Sequence, residues 1–212
     1  MTAQITAGQF HAAEGVEDWR SLYHLVSAHF VAGSLGRGIA LVDEIGRLTD
    51  EAEQQYLTID LRGTGVTVSL SRRDIALARR ISAAAGKLGI PADPAAVQLI
   101  NVTLDALAGP DVLPFWQALL GYRRIGDDYL ADPARRGPGF GLQPMDVARP
   151  QRNRLHLDIA VPHDQAEARI AAALAAGGHL VTDEHAPKWW VLADAEGNEA
   201  CVATWVGREE MG

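Results

Sequence analysis

The chain has 212 residues, 48% of them hydrophobic, with a formal net charge of −8 and a single cysteine. That length gives room for two modest domains or one large one. The negative balance argues against nucleic acid or an anionic membrane surface as a partner. One cysteine excludes an internal disulfide and fits a reducing cytoplasm. No apolar run approaches the roughly 20 residues of a membrane-spanning helix. The opening MTAQITAGQFHAAEG lacks the basic-then-apolar pattern of a signal peptide, so a cytoplasmic protein is expected.

In the first part of the chain, Trp19, Leu22, Tyr23 and Val26 recur at helical spacing, which predicts a helix over 18–28 leading into a strand that ends near Val31. Ser34 is a candidate N-cap for an amphipathic helix over 34–53, with Leu35, Ile39, Val42, Ile45 and Leu48 on one stripe. Its glycines at 36, 38 and 46 weaken that helix by up to about 1 kcal/mol each. Residues 56–61 and 66–70 read as a hairpin around RGTG, with Val66, Val68 and Leu70 alternating against Thr67 and Ser69. Ser71 with Asp74 resembles a capping box and opens a helix that stops at Gly89. His24 and His29 read as surface or satisfied structural groups.

IPADPAAV (90–97) carries two prolines and reads as an extended spacer. The expected division is therefore 1–90, a linker at 91–96, and 97–212. The second block repeats one plan: strand, helix and three strands, written twice. The first copy has a strand at 98–105, a helix at 110–120, and strands near 122–125, 128–131 and 140–145. The second has a strand at 155–161, a helix at 163–176, and strands at 179–181, 189–193 and 199–204. The fold class is α+β: an N-terminal layer of sheet plus helices, then paired βαβββ modules around a cleft.

The stretch RLHLDIAV (154–161) separates two chemistries by parity. Leu155, Leu157, Ile159 and Val161 share one strand face, while His156 and Asp158 share the other. The apolar face is expected beneath a helix, which leaves His156 and Asp158 toward the cleft. In 199–202, Glu199 and Cys201 share a face by the same period. Two strands offering His, Asp, Glu and Cys make either a small-molecule or metal pocket, or the ordinary polar side of a half-wet sheet. Arg135 and Arg136, in a loop at the cleft mouth, are either solvated or placed to meet an anionic ligand.

The second block resembles the glyoxalase-like branch of the vicinal oxygen chelate (glyoxalase/bleomycin-resistance) superfamily. PFWQALLGY (114–122), NRLHLDIAV (153–161), Gly177-Gly178 and VLADAEGNEACV (191–202) carry the likeness. In metal-dependent members the ligands lie near the start of each module's first strand and on its last strand. The resemblance places these positions at Asn101, His156 and Cys201. An amide is a poor ligand, and a thiol must first lose its proton, so no tightly held metal or other cofactor is expected. The open alternative is a divalent cation held by a shifted set, His156, Asp158 and Glu199.

SAHFVAGSLGRGIALVDEIGRLTDEAE, IDLRGTGVTVSL and DIALARRISA resemble the pterin-4a-carbinolamine dehydratase family. The paired histidines and proline of that family fall here on Gln55, Tyr56 and Leu57, and its later histidine near Arg73. An amide and an alkyl group cannot exchange protons near neutral pH, so this resemblance implies a fold without its dehydratase chemistry.

The expected function is binding of a small organic molecule on the second block. His156 and Asp158 are the candidate acid–base pair, with Asn101, Trp116, Trp189, Trp190, Glu199 and Cys201 lining the site. A glyoxalase-like lyase or related acid–base enzyme is the catalytic version. A non-catalytic sensor, sequestering protein or dimeric scaffold is the alternative, and an active dehydratase a more distant one. A homodimer is the expected assembly, isologous pairs being the commonest closed form.

Overall fold

A computed structural model describes residues 5–107, 113, 117, 122–147, 155–175, 177–193 and 199–208. The chain is α+β and divides into two compact units. Met1–Gln98, Pro162–Gln165 and Trp205–Gly212 form the first, and Leu99–Val161 with Ala166–Thr204 the second. Among the described residues no helix is long and apolar enough to cross a membrane.

The first unit holds helix α1 (Ala7–His11), strands β1 (Arg20–Leu22) and β2 (Leu25–Phe30), helices α2 (Leu35–Leu48) and α3 (Glu51–Gln54), strands β3 (Leu57–Leu61) and β4 (Val66–Leu70), and helix α4 (Ile75–Lys87). Its sheet is antiparallel in the order β1-β2-β4-β3. Val26, Ala28 and Phe30 alternate into the core with Val66, Val68 and Leu70, beside Leu41 and Ile45 of α2 and Leu77 and Ile81 of α4. The opposite face pairs polar groups: Ser27 with Ser69 and His29 with Thr67, both at 2.8 Å.

Several expectations change here. Residues 18–28 form a hairpin and not a helix, turning at Tyr23 with φ 53°. The periodic spacing of Trp19 to Val26 is too short to separate the two structures, and the alternation through Phe30 decides for strand. The helix expected over 34–53 breaks at Thr49, whose extended backbone ends α2, and Asp50 with Glu53 caps a separate α3. Gly38 is buried in α2, where an added Cβ would stand 2.6 Å from Leu61 Cδ1, so this glycine lets the helix approach β3. Ser34 caps α2 as expected. The cap of α4 is Asp74, which accepts from Leu77 N–H, and not Ser71. The spacer is no free tether: Val31 N–H donates to Pro91 O and Asp93 N–H to His29 O, each at 2.8 Å, with Ile90 and Val97 buried.

The second unit contains β5 (Leu99–Ala106), β6 (Arg123–Ile125), β7 (Tyr129–Ala131), β8 (Gly139–Pro144), β9 (Leu155–Ala160), α5 (Ala166–Ala175), β10 (His179–Thr182), β11 (Trp189–Ala193) and β12 (Glu199–Ala203). They make one eight-stranded sheet in the order β10-β11-β12-β9-β5-β8-β7-β6. Within each module the first strand runs parallel to the last, β5 with β8 and β9 with β12. The modules join where β5 meets β9 antiparallel. The repeat inferred from the sequence is thus a symmetric strand order. The helix expected over 110–120 lies outside the described residues apart from Leu113 and Gln117. Leu113 is buried with Leu130, Phe140 and Leu142. Ile159, Trp190, Leu192 and Val202 pack with Ile170 and Ala173 of α5. Leu157, expected beneath a helix, is instead 43% exposed, whereas Ile159 packs with α5.

In the first unit, the His11 ring stacks on Trp205 at 5.1 Å, and its Nε2 accepts from Ser21 N–H at 3.1 Å. Trp205 Nε1–H donates to His163 Nδ1 at 3.1 Å. Burial, followed by His163 and Arg20, lowers the His11 pKa to about 4. An unfolded histidine titrates near 6.5, so between these values the unfolded chain binds more protons. The stability that the neutral ring contributes is therefore intact above about pH 6.5 and is lost as pH falls toward 4. Chemical denaturation of the wild type and His11→Gln across that window should show their stability difference shrinking as pH falls. A constant difference would overturn this reading.

Candidate functional site

The sheet of the second unit is two-sided. Odd-numbered residues of β5 point to one face and even-numbered residues of β9 to the same face, because the antiparallel register pairs Asn101 with Asp158 and Thr103 with His156. β12 continues the row by pairing Cys201 with Asp158. On the far side Asn101 pairs with Gly139 and Thr103 with Gly141. Period-two alternation along four strands, locked in this register, gathers the polar groups on the face opposite α5.

His156 is the centre of that face. Its Nδ1 lies 3.9 Å from Asp105 Oδ1 and its Nε2 3.7 Å from Asp158 Oδ1. The three side chains are largely buried, at 14%, 9% and 22% exposure in the order His156, Asp105, Asp158. Thr103 Oγ1 donates to Asp158 Oδ2 at 2.5 Å, which fixes the carboxylate plane and leaves Oδ1 toward the imidazole. Ligand atoms of His156, Asp158 and Cys201 all lie within 4.8 Å of one another.

Next to this group, Tyr129 lies across Gly139 and Gly141 and donates its hydroxyl to Asn101 Oδ1 at 3.1 Å. Burial, with Tyr122 nearby, pushes the Tyr129 phenol above its ordinary pKa, so it remains a donor. Asn101 therefore has its carbonyl engaged by Tyr129. The loop after β7 is organised by Asp132, which accepts from the N–H groups of Ala134, Arg136 and Gly137. These bonds hold its carboxyl below the usual range, and Arg135 in the same loop takes φ 55°.

The structure brings His156, Asp158, Asn101 and Cys201 together. Glu199 falls on the same face by strand parity, at the start of β12. Trp189 shares the parity of that face through its pairing with Ala203, and its ring lies against His185 at 4.4 Å. Trp190 requires a correction. It pairs with Val202 and packs with Leu192 and Ile170, so it lies under α5 and away from the polar face. Adjacent residues of a strand cannot share a face, which the sequence reading overlooked in taking both tryptophans together. Trp116 lies outside the described residues. Thr103, Asp105 and Tyr129 were missed. The first two follow Asn101 at period two and were visible in the same alternation; Tyr129 arrives by lateral pairing, which leaves no local signal.

Residues 101–203 match the family model of the glyoxalase-like domain. Among solved structures, the chain is similar to an NAD-dependent benzaldehyde dehydrogenase from Legionella pneumophila, at 12% identity and a TM-score of 0.38, over 50% of this chain and 97% of that one. It is also similar to a glyoxalase/bleomycin resistance protein/dioxygenase superfamily member from Vibrio splendidus 12B01, at 13% identity and a TM-score of 0.34, over 51% and 99% of the two chains. No curated protein matches the sequence.

The packing of Tyr129 gives a direct test. A Cβ at Gly139 would overlap the phenol and stand 2.6 Å from Asn101 Oδ1, whereas one at Gly141 would meet Tyr129 and Thr103 at ordinary contact distance. Gly139→Ala should lower the unfolding free energy by about 1–3 kcal/mol, the usual cost of overpacking, with Gly141→Ala much milder. Denaturant titration of the two variants checks the order, and equal effects would refute the arrangement.

Proposed function

We propose that the second unit binds a small organic molecule on the polar face of its sheet, with His156 as the anchoring side chain. One observation carries the reading: a largely buried imidazole stands between two carboxylates, Asp105 and Asp158, on a face shared with Asn101, Tyr129 and Cys201. Buried polar side chains need partners, and a group of them converging from several strands suits a ligand bearing oxygen atoms. The glyoxalase-like match over 101–203 supports the same role.

The protein as purified should be screened by thermal shift against a panel of small carboxylates, enones and phenols. A compound at a hundred times its Kd stabilises the folded state by about 2.7 kcal/mol, a readable shift. At least one compound should shift the wild type and lose its effect in His156→Ala, while circular dichroism shows that variant folded. A panel whose shifts are all indifferent to His156 would overturn the proposal.

We further propose that the first unit keeps a carbinolamine-dehydratase-like fold without the chemistry. At the position implied by that resemblance, the Tyr56 hydroxyl donates to Asp74 Oδ2 at 3.0 Å. Burial and this bond push its pKa to about 12. Arg73 donates to the carbonyls of Ile5 and Tyr23. A phenol held protonated is a poor proton carrier near neutral pH. With 4a-hydroxy-tetrahydropterin as substrate, dehydration should stay at the spontaneous rate. Acceleration that disappears in Tyr56→Phe would refute this.

A further inference from the structure

We propose that His11 and His163 form an acid-released latch, which holds residues 162–165 and 205–208 against α1 and β1. All of these segments belong to the first unit. Three rings make the contact. Trp205 lies nearly parallel to His11, with centroids 5.1 Å and planes 10° apart, and His163 meets the two edgewise at 5.2 and 5.3 Å. The donors fix the protonation of both imidazoles. A backbone N–H and an indole N–H can only donate. His11 Nε2, which faces Ser21 N–H, and His163 Nδ1, which faces Trp205 Nε1–H, must therefore each carry a lone pair. His11 is neutral with its proton on Nδ1, and His163 is neutral with its proton on Nε2. A proton added to either ring lands on the accepting nitrogen and sets N–H against N–H. Neither donor can reverse its role, as a hydroxyl would.

The surroundings oppose the added charge as well. His11 faces His163, Arg20 of β1, and Arg73 ahead of α4, whose guanidinium donates to Ile5 O and Tyr23 O. Arg208 lies over the Tyr23 ring, 5.0 Å from its centroid. Against these cations stands Asp164, which accepts from Arg20 Nη2 at 2.9 Å. That bond holds its carboxyl below the usual range, so it stays ionised as acid is added. Burial lowers the pKa of both imidazoles, for His11 to about 4. Released into water, each titrates near 6.5, so acid favours the open form. Linkage through His11 alone multiplies the opening equilibrium by roughly 20-fold between pH 7 and pH 5. His163 acts in the same direction. The apolar core of this unit contains no such bond: its indole, Trp19, donates to the Ser82 hydroxyl at 3.1 Å. Opening is therefore local, with the sheet and its core intact.

The test follows the full chain by nitrogen-15 NMR after sequential assignment. At neutral pH the imidazole spectra should show His11 protonated on Nδ1 and His163 on Nε2. Hydrogen exchange of the Trp205 indole and the Ser21 amide, corrected for intrinsic rates, gives the opening constant. It should be roughly 20-fold or more larger at pH 5 than at pH 7. Both groups should be less protected than the Trp19 indole at every pH. In the double variant His11→Gln, His163→Gln an amide oxygen can accept from each donor without titrating, so the opening constant should become flat with pH. The opposite tautomers, an opening constant unchanged with pH in the wild type, or protection of Trp205 equal to that of Trp19 would each overturn the latch. So would a pH dependence that persists in the double variant. Circular dichroism checks the fold of that variant, and the wild-type measurements decide the matter without it.

Discussion

The antiparallel register of β5 against β9 is the constraint on which the second unit depends. It sets Asn101 opposite Asp158 and Thr103 opposite His156 at the junction of the two modules. A slip by one residue would exchange the faces of an entire strand, sending His156 and Asp158 into the apolar side and Ile159 out of it. Burial of Ile159 with Val202, Leu192 and α5 resists that slip. Hydrophobic packing on one face thereby fixes which polar groups stand side by side on the other.

The polar groups return part of that debt to stability through mutual satisfaction. Thr103 bonds Asp158 and Tyr129 bonds Asn101, so neither the amide nor the carboxylate is left to lose its hydration without compensation. The first unit follows the same rule on the outer side of its sheet with Ser27, Ser69, His29 and Thr67. What differs is the outcome. In the first unit the pairs close on themselves, whereas in the second His156 keeps a ring nitrogen near each of two carboxylates at distances longer than hydrogen bonds.

Much of this was legible in the sequence because strand parity is a local property. The alternation in 154–161 separated His156 and Asp158 from Ile159, and the doubled strand–helix–strand plan anticipated two modules of one sheet. The glyoxalase-like resemblance reached the same part of the chain as the family match over 101–203. The misreadings share a cause. Residues 18–28 have too few apolar positions to distinguish a helix from a hairpin, and Tyr23 at positive φ is an unusual turn residue. The break after α2 depends on two residues, Thr49 and Asp50, leaving the helical region, with Asp50 capping the helix that follows. Tyr129 reaches the site by lateral pairing, and a linear sequence does not show which strand lies beside which.

The return of two late segments to the first unit has a consequence for synthesis. His11 and Ser21 emerge from the ribosome before the second unit, but Trp205, whose ring covers His11, emerges only after it. A nascent chain that has extended through Ala160 has made every strand of its first sheet, yet it carries an uncovered imidazole and an Arg20 without Asp164. Order of translation and order of completion are therefore reversed for the two units: the first sheet to be made is finished only after the strands of the second.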